Sequence, residues 1–185
     1  MDALTLLTSR YSLTRLTEPA PQGVVLDNIK RAALQVPDHG NLRPWRFIIA
    51  QGREALLKLG DIFVEAAVED NPTTAAEILE RARQLPLRAP MVIICIAKVT
   101  EHTKIPVLEQ HYSAACAVMA MQQAAFAQGY AGIWRTGVYA QLDYVKQALD
   151  LAEEDEIIGF LYLGTANAEP TKRHPIVVDD YFSEL

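Results

Sequence analysis

The feature that most restricts the fold is a long apolar segment in the second half of the chain. Residues 108–128 are dominated by Ala, Met and Val at positions that fall on several faces of a helix. A helix that is apolar on nearly all sides must be enclosed by protein or by lipid. The segment contains too many polar side chains for a simple bilayer span, namely Glu109, Gln110, His111, Gln122 and Gln123. We therefore predict one helix that protein encloses almost completely.

The remaining patterns predict helices and strands that intermix along the chain. Apolar residues at helical spacing predict helices at residues 2–9, 24–35, 53–69, 74–84 and 142–149. Short runs rich in Val and Ile predict strands at residues 45–50, 91–98, 131–136 and 157–163. The run at 91–98 is apolar enough to be covered on both faces. The 185 residues show no internal repeat and fit a single domain, residues 1–185, of the α+β class.

The tail after Gly164 ends in a second apolar stretch. Ile176, Val177 and Val178 are followed by Tyr181 and Phe182. A tail this apolar is expected to pack against protein, and it has the composition to add a strand to a sheet, including the sheet of a partner subunit.

Charge and composition exclude several classes of function. The formal net charge is -6 and no run of Lys or Arg occurs, so a nucleic-acid partner is not expected. The N-terminus lacks the basic region and long apolar stretch of a secretory signal, which predicts a cytoplasmic protein, and a membrane partner is not expected. Cys95 and Cys116 both lie in apolar segments, and we predict that both are buried in the core.

The familiar catalytic motifs are absent from the sequence. No Gly-x-Gly-x-x-Gly follows a strand and no Gly-x-x-x-x-Gly-Lys-Ser/Thr occurs, which disfavours Rossmann and P-loop phosphate sites. The four histidines show no i, i+4 pair and the cysteines show no metal-ligand spacing, so no metal is predicted. No Gly-x-Ser-x-Gly turn offers a nucleophile. If the chain is an enzyme, a cofactor is expected to carry its chemistry.

Four segments, in this order, carry a resemblance to a known family. They are Arg10-Tyr11-Ser12 with Arg15, residues 36–47, residues 132–137 and residues 159–164. Their order and spacing resemble the nitroreductase family, in its compact NAD(P)H nitroreductase branch, over nearly the whole chain. The resemblance implies a central, mostly antiparallel β-sheet surrounded by helices. It also implies an intertwined homodimer with FMN bound noncovalently at the subunit interface.

The first segment matches the family's phosphate-binding motif. Relatives begin with a helix followed by Arg-Arg-Ser or a variant, whose side chains hold the FMN phosphate and ribityl chain. Arg10, Tyr11 and Ser12 occupy these positions, so Tyr11 replaces one guanidinium while Arg10 and Ser12 still offer a cation and a hydroxyl. The resemblance makes Arg10 the main phosphate ligand; the alternative is a solvated cation at a helix end.

The second segment is similar to a family loop that reaches the flavin from the neighbouring subunit. On that basis His39 and Asn41 are carried over as flavin contacts, and Arg43 stands where relatives have Gln. Gln35 occupies a position where close relatives can place a cationic FMN ligand, and its amide still offers hydrogen bonds. The alternative for His39 is a simple turn, closed by the side chain of Asp38.

The third segment completes the predicted cofactor site. Trp134, Arg135 and Thr136 match the family's run that lines the flavin. Trp134 is alternatively a core aromatic residue. An arginine inside a buried strand needs an acceptor, which a phosphate, Glu109 or Asp143 would supply to Arg135.

Two weaker assignments also follow from the resemblance. The end of the long helix resembles the stretch assigned to the nicotinamide nucleotide, here Ala124, Ala125, Phe126, Ala127, Gln128 and Gly129. In the tail, Lys172 and Arg173 are alternatively a solvated charged turn or, for Arg173, an additional phosphate cation.

The resemblance implies an oxidoreductase that transfers a hydride from NADH or NADPH to FMN. A nitroaromatic, a quinone or a similar small acceptor then takes the electrons in a ping-pong sequence, with no catalytic side chain required. One alternative is a flavin-binding homodimer without turnover, in which Tyr11, Gln35 and Arg43 mark a decaying site. The other is a related flavin enzyme of the same fold, of the dehalogenase or benzimidazole synthase type.

Overall fold

A computed structural model describes residues 1–170 and 176–185 of the chain. Within them the helices are α1 (Ala3–Ser9), α2 (Val24–Ala33), α3 (Gly52–Asp70), α4 (Ala76–Gln84), α5 (Val107–Ala127) and α6 (Asp143–Ala148). The strands are β1 (Leu16–Thr17), β2 (Arg46–Gln51), β3 (Met91–Ala97), β4 (Ala131–Arg135) and β5 (Glu156–Ala166). Every predicted helix and strand is present within a few residues of its expected bounds. Strand β1 was not predicted, because two residues are too few to show an alternating pattern.

The sheet is built around β5, the longest strand. β5 pairs with β3 along one edge, and β3 pairs in turn with β2. β4 and the short β1 lie end to end along the other edge of β5. All of these pairings are antiparallel, which confirms the predicted α+β class with a mostly antiparallel sheet.

Two layers of helices cover the two faces of the sheet. Along β3, Val92, Ile94 and Ile96 pack into a core with residues of α3 and α6, while Ile93 and Cys95 pack into a core with α2 and α5. Every residue of β3 is buried, as its continuous apolar run predicts. The alternation along a strand therefore decides which of the two layers each sheet residue contacts.

The prediction that α5 is enclosed almost completely is wrong for the single chain. An exposed stripe follows one side of the helix and is formed by Leu108, Tyr112, Cys116 and Met119. The prediction that Cys116 is a core residue is wrong for the same reason, whereas Cys95 is buried as predicted. Composition shows that the surface of a helix such as α5 is apolar, but it cannot show whether the same chain or another copy covers that surface.

Residues 176–185 of the tail do not extend the sheet of their own chain. In residues 176–185 the backbone forms a short 3-10 helix at Val178–Tyr181, with no strand, and Ile176, Tyr181 and Phe182 are exposed. Pairing with a partner's sheet therefore stays a prediction. Lys172 and Arg173 lie outside the described residues. Across the part of the chain that the structure describes, no helix combines the length and apolarity that crossing a bilayer requires.

Candidate functional site

The segment after α1 packs against the start of β4 and against α5. The backbone N–H of Leu13 donates to the Gly132 carbonyl at 3.4 Å, which holds the segment beside the edge strand. Arg10 Nη1 donates to Ser12 Oγ at 3.2 Å. The helix that leads into this segment is capped by Asp2, whose carboxylate accepts from two backbone N–H groups. Arg10 and Ser12 are thus brought together, as the sequence predicts.

Gln122 of α5 is a part of this arrangement that sequence reasoning missed. Its Nε2 donates to the Gly132 carbonyl at 3.0 Å and to Ser12 Oγ at 3.4 Å, although the residue is only 3% exposed. A buried amide needs such partners. The signal in the sequence is an amide inside an apolar helix, at a position where a buried polar group requires a partner.

The side chain of Tyr11 does not point the same way as those of Arg10 and Ser12. Its ring lies edge-on to Phe126, with centroids 5.1 Å apart, and packs at the border of the α3-side core. The side chain that replaces the family's second arginine is therefore anchored by apolar contact with the end of α5.

Alternation along β4 separates the side chains of Trp134 and Arg135. Trp134 lies on the α2 and α5 side, where its Nε1 donates to the Ile158 carbonyl at 3.2 Å. Gly159 permits the close packing of β4 against β5 at this point. A Cβ on residue 159 would lie only 2.6 Å from the Arg135 carbonyl oxygen, and the residue has a φ of 147°, which favours glycine. The half-buried Trp134 is thus held in one orientation, while Thr136 is exposed beyond the strand.

Arg135 lies on the opposite side of the sheet from Trp134. Its register partner Phe160 belongs to the α3-side core, as does its neighbour Ile133. Within the described residues Arg135 forms no ion pair, so neither Glu109 nor Asp143 is its acceptor, and its Nε is buried without a partner.

A second group of predicted residues lies near the start of α5. His39 Nδ1 lies 2.6 Å from Glu109 Oε2, and Ser113 Oγ donates to the Pro37 carbonyl at 2.6 Å, so the loop is fixed to the helix. Asp38 Oδ2 accepts from the backbone N–H of Arg43 at 2.9 Å, which closes the turn.

All three predicted ligands of this loop region face solvent in the single chain. They are Gln35, His39 and Asn41. Asn41 has a φ of 54°, in the left-handed region that asparagine tolerates better than most residues. The region therefore presents polar side chains outward from a fixed backbone.

The stretch assigned to the nicotinamide nucleotide is largely packed. Ala125 is fully buried where α5 packs against α2, so its side chain is not available to a ligand. Gln128 is engaged with Asn28 at 2.9 Å and with the Ala124 carbonyl at 2.9 Å. Only Ala127 and Gly129 of the stretch are exposed. Among the residues that the structure describes, no cluster of His, Cys, Asp and Glu is suited to a metal ion.

Known proteins resemble this chain over nearly its whole length. The model of the nitroreductase family matches residues 7–165. The protein named "Putative NAD(P)H nitroreductase YdjA" of Escherichia coli K12 is 46% identical over 165 residues, which cover 89% of this chain and 88% of that protein. A Haemophilus influenzae protein of like designation is 40% identical over 180 residues, or 97% of this chain and 96% of its own.

Solved structures show the same fold at lower identity. A nitroreductase-like family protein from Bacillus cereus superposes with a TM-score of 0.84 at 18% identity, covering 100% of this chain and 96% of its own. A nitroreductase from Desulfovibrio desulfuricans, solved in complex with FMN, superposes with a TM-score of 0.75 at 18% identity, covering 100% and 98%. These likenesses confirm the expected nitroreductase-like fold. With the family model and the relatives at 40% and 46% identity, they show that the chain belongs to the nitroreductase family, a family of oxidoreductase enzymes.

Proposed function

We propose that the chain is an FMN-dependent NAD(P)H oxidoreductase whose flavin sites form between two copies. The observation that carries the proposal is that the segment with the paired Arg10 and Ser12 is hydrogen-bonded through Leu13 to Gly132, on the strand that continues to residues 134–136. The names of the relatives support NAD(P)H as the electron donor, and two structural neighbours with bound FMN support the cofactor. Nitroaromatics and quinones are the proposed acceptors, reduced in a ping-pong sequence.

The donors at the N-terminal end of the site fit a phosphate. Ser12 Oγ accepts from both Arg10 and Gln122, so its own hydrogen remains to donate to an added acceptor such as a phosphate oxygen. The guanidinium of Arg10 adds a charge-assisted donor beside it. A cation and an oriented hydroxyl on one short segment are the groups that hold a phosphate monoester.

The protein's own contribution to the reaction is binding and orientation. Bound FMN would supply the hydride chemistry. The backbone of residues 134–136 would position the flavin ring, and the fixed indole of Trp134 would support one side of it. Because no side chain of this chain is assigned a proton-transfer role, correct placement of donor and acceptor is the source of rate enhancement.

The two groups of site residues lie at opposite ends of α5 in one chain. Glu109, which contacts His39, and Gln122, which contacts Ser12, are 13 residues apart on α5. At 1.5 Å per residue the separation along the helix axis is about 20 Å. A single chain therefore carries two half-sites, one at each end of α5.

Two copies related by a twofold axis near Cys116 would join these half-sites. Cys116 lies midway between Glu109 and Gln122, so antiparallel packing of two α5 helices places the start of one beside the end of the other. The exposed stripe of Leu108, Tyr112, Cys116 and Met119 supplies the apolar contact surface. The exposed apolar tail, with Tyr181 and Phe182, is a further surface for the partner.

Steady-state oxidation of NADPH with a nitroaromatic or a quinone acceptor tests the enzyme proposal. We expect turnover that depends on both substrates, with parallel double-reciprocal plots typical of a ping-pong sequence. The control is the same assay on protein from which the flavin has been removed. A flavin-loaded protein that oxidises neither NADH nor NADPH with any such acceptor would instead favour a flavin-binding dimer without turnover.

A further inference from the structure

Four arginines interact electrostatically on the α3 side of the sheet, and Arg135 is the one of the four that belongs to the site described above. Arg135 reaches this side from β4, Arg88 ends the turn before β3, and Arg81 and Arg15 are close enough to Arg88 to interact with it electrostatically. Arg88 and Arg135 are half-buried, whereas Arg15 and Arg81 are exposed. In a chain with a formal net charge of -6, so many cations in one place require a reason.

No carboxylate neutralises this arginine cluster, which comprises Arg15, Arg81, Arg88 and Arg135. Within residues 1–170 and 176–185, none of the four forms an ion pair, and the Nε of Arg135 is buried without any partner. A buried donor without an acceptor destabilises the fold unless a ligand satisfies it. The cluster therefore has the donors of an anion site and lacks an internal anion.

The electrostatics of the cluster also favour an anionic ligand. Burial lowers the pKa of Arg88, and the positive charges of Arg135, Arg81 and Arg15 lower it further. Burial also raises the pKa of Tyr162 to about 12, and the charges of Arg135 and Arg88 oppose this rise, so this phenol stays neutral and can donate a hydrogen bond. An oxyanion bound between them would relieve the repulsion among the guanidinium groups.

A groove beside the cluster offers space for the rest of a ligand. It has a volume of about 250 Å³ and is lined by Ile78, Arg81, Ala82, Leu85 and Tyr139. The stretch assigned by resemblance to the nicotinamide nucleotide, residues 124–129, contains no cation. The cationic side chains that bind the phosphates of such a nucleotide would therefore have to come from another part of the chain.

We propose that Arg88 and Arg135 form a phosphate-binding site on the α3 side of the sheet, and that it takes the pyrophosphate of the nicotinamide nucleotide. The identity of the ligand rests on the proposed function, but the existence of the site does not. Arg135 links the two regions, because its backbone belongs to the run that would line the flavin while its side chain belongs to the arginine cluster.

Calorimetric titration with inorganic pyrophosphate tests the site itself. We expect the FMN-loaded wild-type protein to bind one pyrophosphate per chain, with affinity that falls as salt is added. Arg88→Gln and Arg135→Gln should each weaken binding about tenfold or more, because each removes charge-assisted donors. Arg53→Gln is the matched control, since Arg53 is an exposed arginine of α3 and its loss changes the net charge equally.

The same titration on FMN-free protein separates the two sources of phosphate. Pyrophosphate binding that appears only without FMN, and that Arg88→Gln abolishes, would assign the cluster to the FMN phosphate and overturn the nucleotide assignment. Absence of binding in both forms, or equal affinity in Arg88→Gln, Arg135→Gln and wild type, would overturn the site. The thermal midpoint of unliganded Arg88→Gln should not fall below that of wild type, which controls for folding.

A kinetic comparison tests the nucleotide assignment. Arg88→Gln should raise the KM for NADPH about tenfold while leaving the KM for 1-benzyl-1,4-dihydronicotinamide, a donor without phosphates, within about twofold. Equal changes for both donors would contradict a phosphate contact. If the protein shows no turnover at all, the pyrophosphate titration still decides whether the site exists.

Discussion

Replacing Met119 by Glu is expected to dissociate the proposed dimer and to release the flavin that the dimer would bind. Met119 lies on the exposed stripe of α5, close to the proposed twofold axis at Cys116. Because the proposed interface is symmetric, it would bury two unpaired carboxylates, and each would destabilise the dimer by about 3 kcal/mol or more. The dissociation constant of the dimer should therefore rise about 10⁴-fold. Sedimentation and flavin content, measured on the same sample, report the two effects.

The matched control for this change is Val68→Glu. Val68 is 41% exposed on α3, on the opposite side of the sheet from the stripe, so the same kind of charge should leave the dimer intact. Thiol labelling gives a second readout, because the dimer should protect Cys116 and the monomeric variant should expose it. Burial raises the pKa of the Cys95 thiol and makes it unreactive in both forms. A Met119→Glu protein that stays dimeric with full flavin content would refute the interface.

Replacing Arg10 by Ala is expected to weaken FMN binding about ten- to a hundredfold. The guanidinium would donate charge-assisted hydrogen bonds to the phosphate, worth about 1.5–3 kcal/mol. Ser12 would also lose the donor that helps to fix its hydroxyl. Fluorescence titration of flavin-free protein with FMN measures the change.

Riboflavin and Arg53→Ala are the controls for the Arg10 prediction. Riboflavin lacks the phosphate, so its weaker binding should be almost unaffected by Arg10→Ala. Arg53→Ala removes an exposed cation of α3 and should bind FMN as wild type does. Equal losses for FMN and riboflavin would show that Arg10 supports the fold of the segment and does not hold the phosphate.

The fold was largely predictable because its elements carry strong periodic patterns. The continuous apolar run of β3 identified a strand covered on both faces, and the α5 pattern located the longest helix. The exposure of Cys116 and Met119 was not predictable from one sequence, since burial by a partner and burial within the chain favour the same residues. The side of α5 left uncovered depends on where α2 packs, which is a property of tertiary structure.

The candidate site was predictable only as far as local motifs extend. Arg10 and Ser12 are neighbours in sequence, and the structure brings them together as expected. Gln122 follows Ser12 by 110 residues in the sequence and contacts it in the structure, and no local sequence pattern indicates that contact. The arginine cluster draws on three regions distant in sequence, around Arg15, around Arg81 and Arg88, and at Arg135, so it becomes visible only once β4, β5 and the turn before β3 are assembled.

The visible absorption spectrum of the purified protein tests whether the chain binds FMN. We expect a yellow protein with a band at roughly 450 nm and one FMN per chain, recovered after removal and readdition of the cofactor. A colourless protein that also fails to bind added FMN would contradict this expectation.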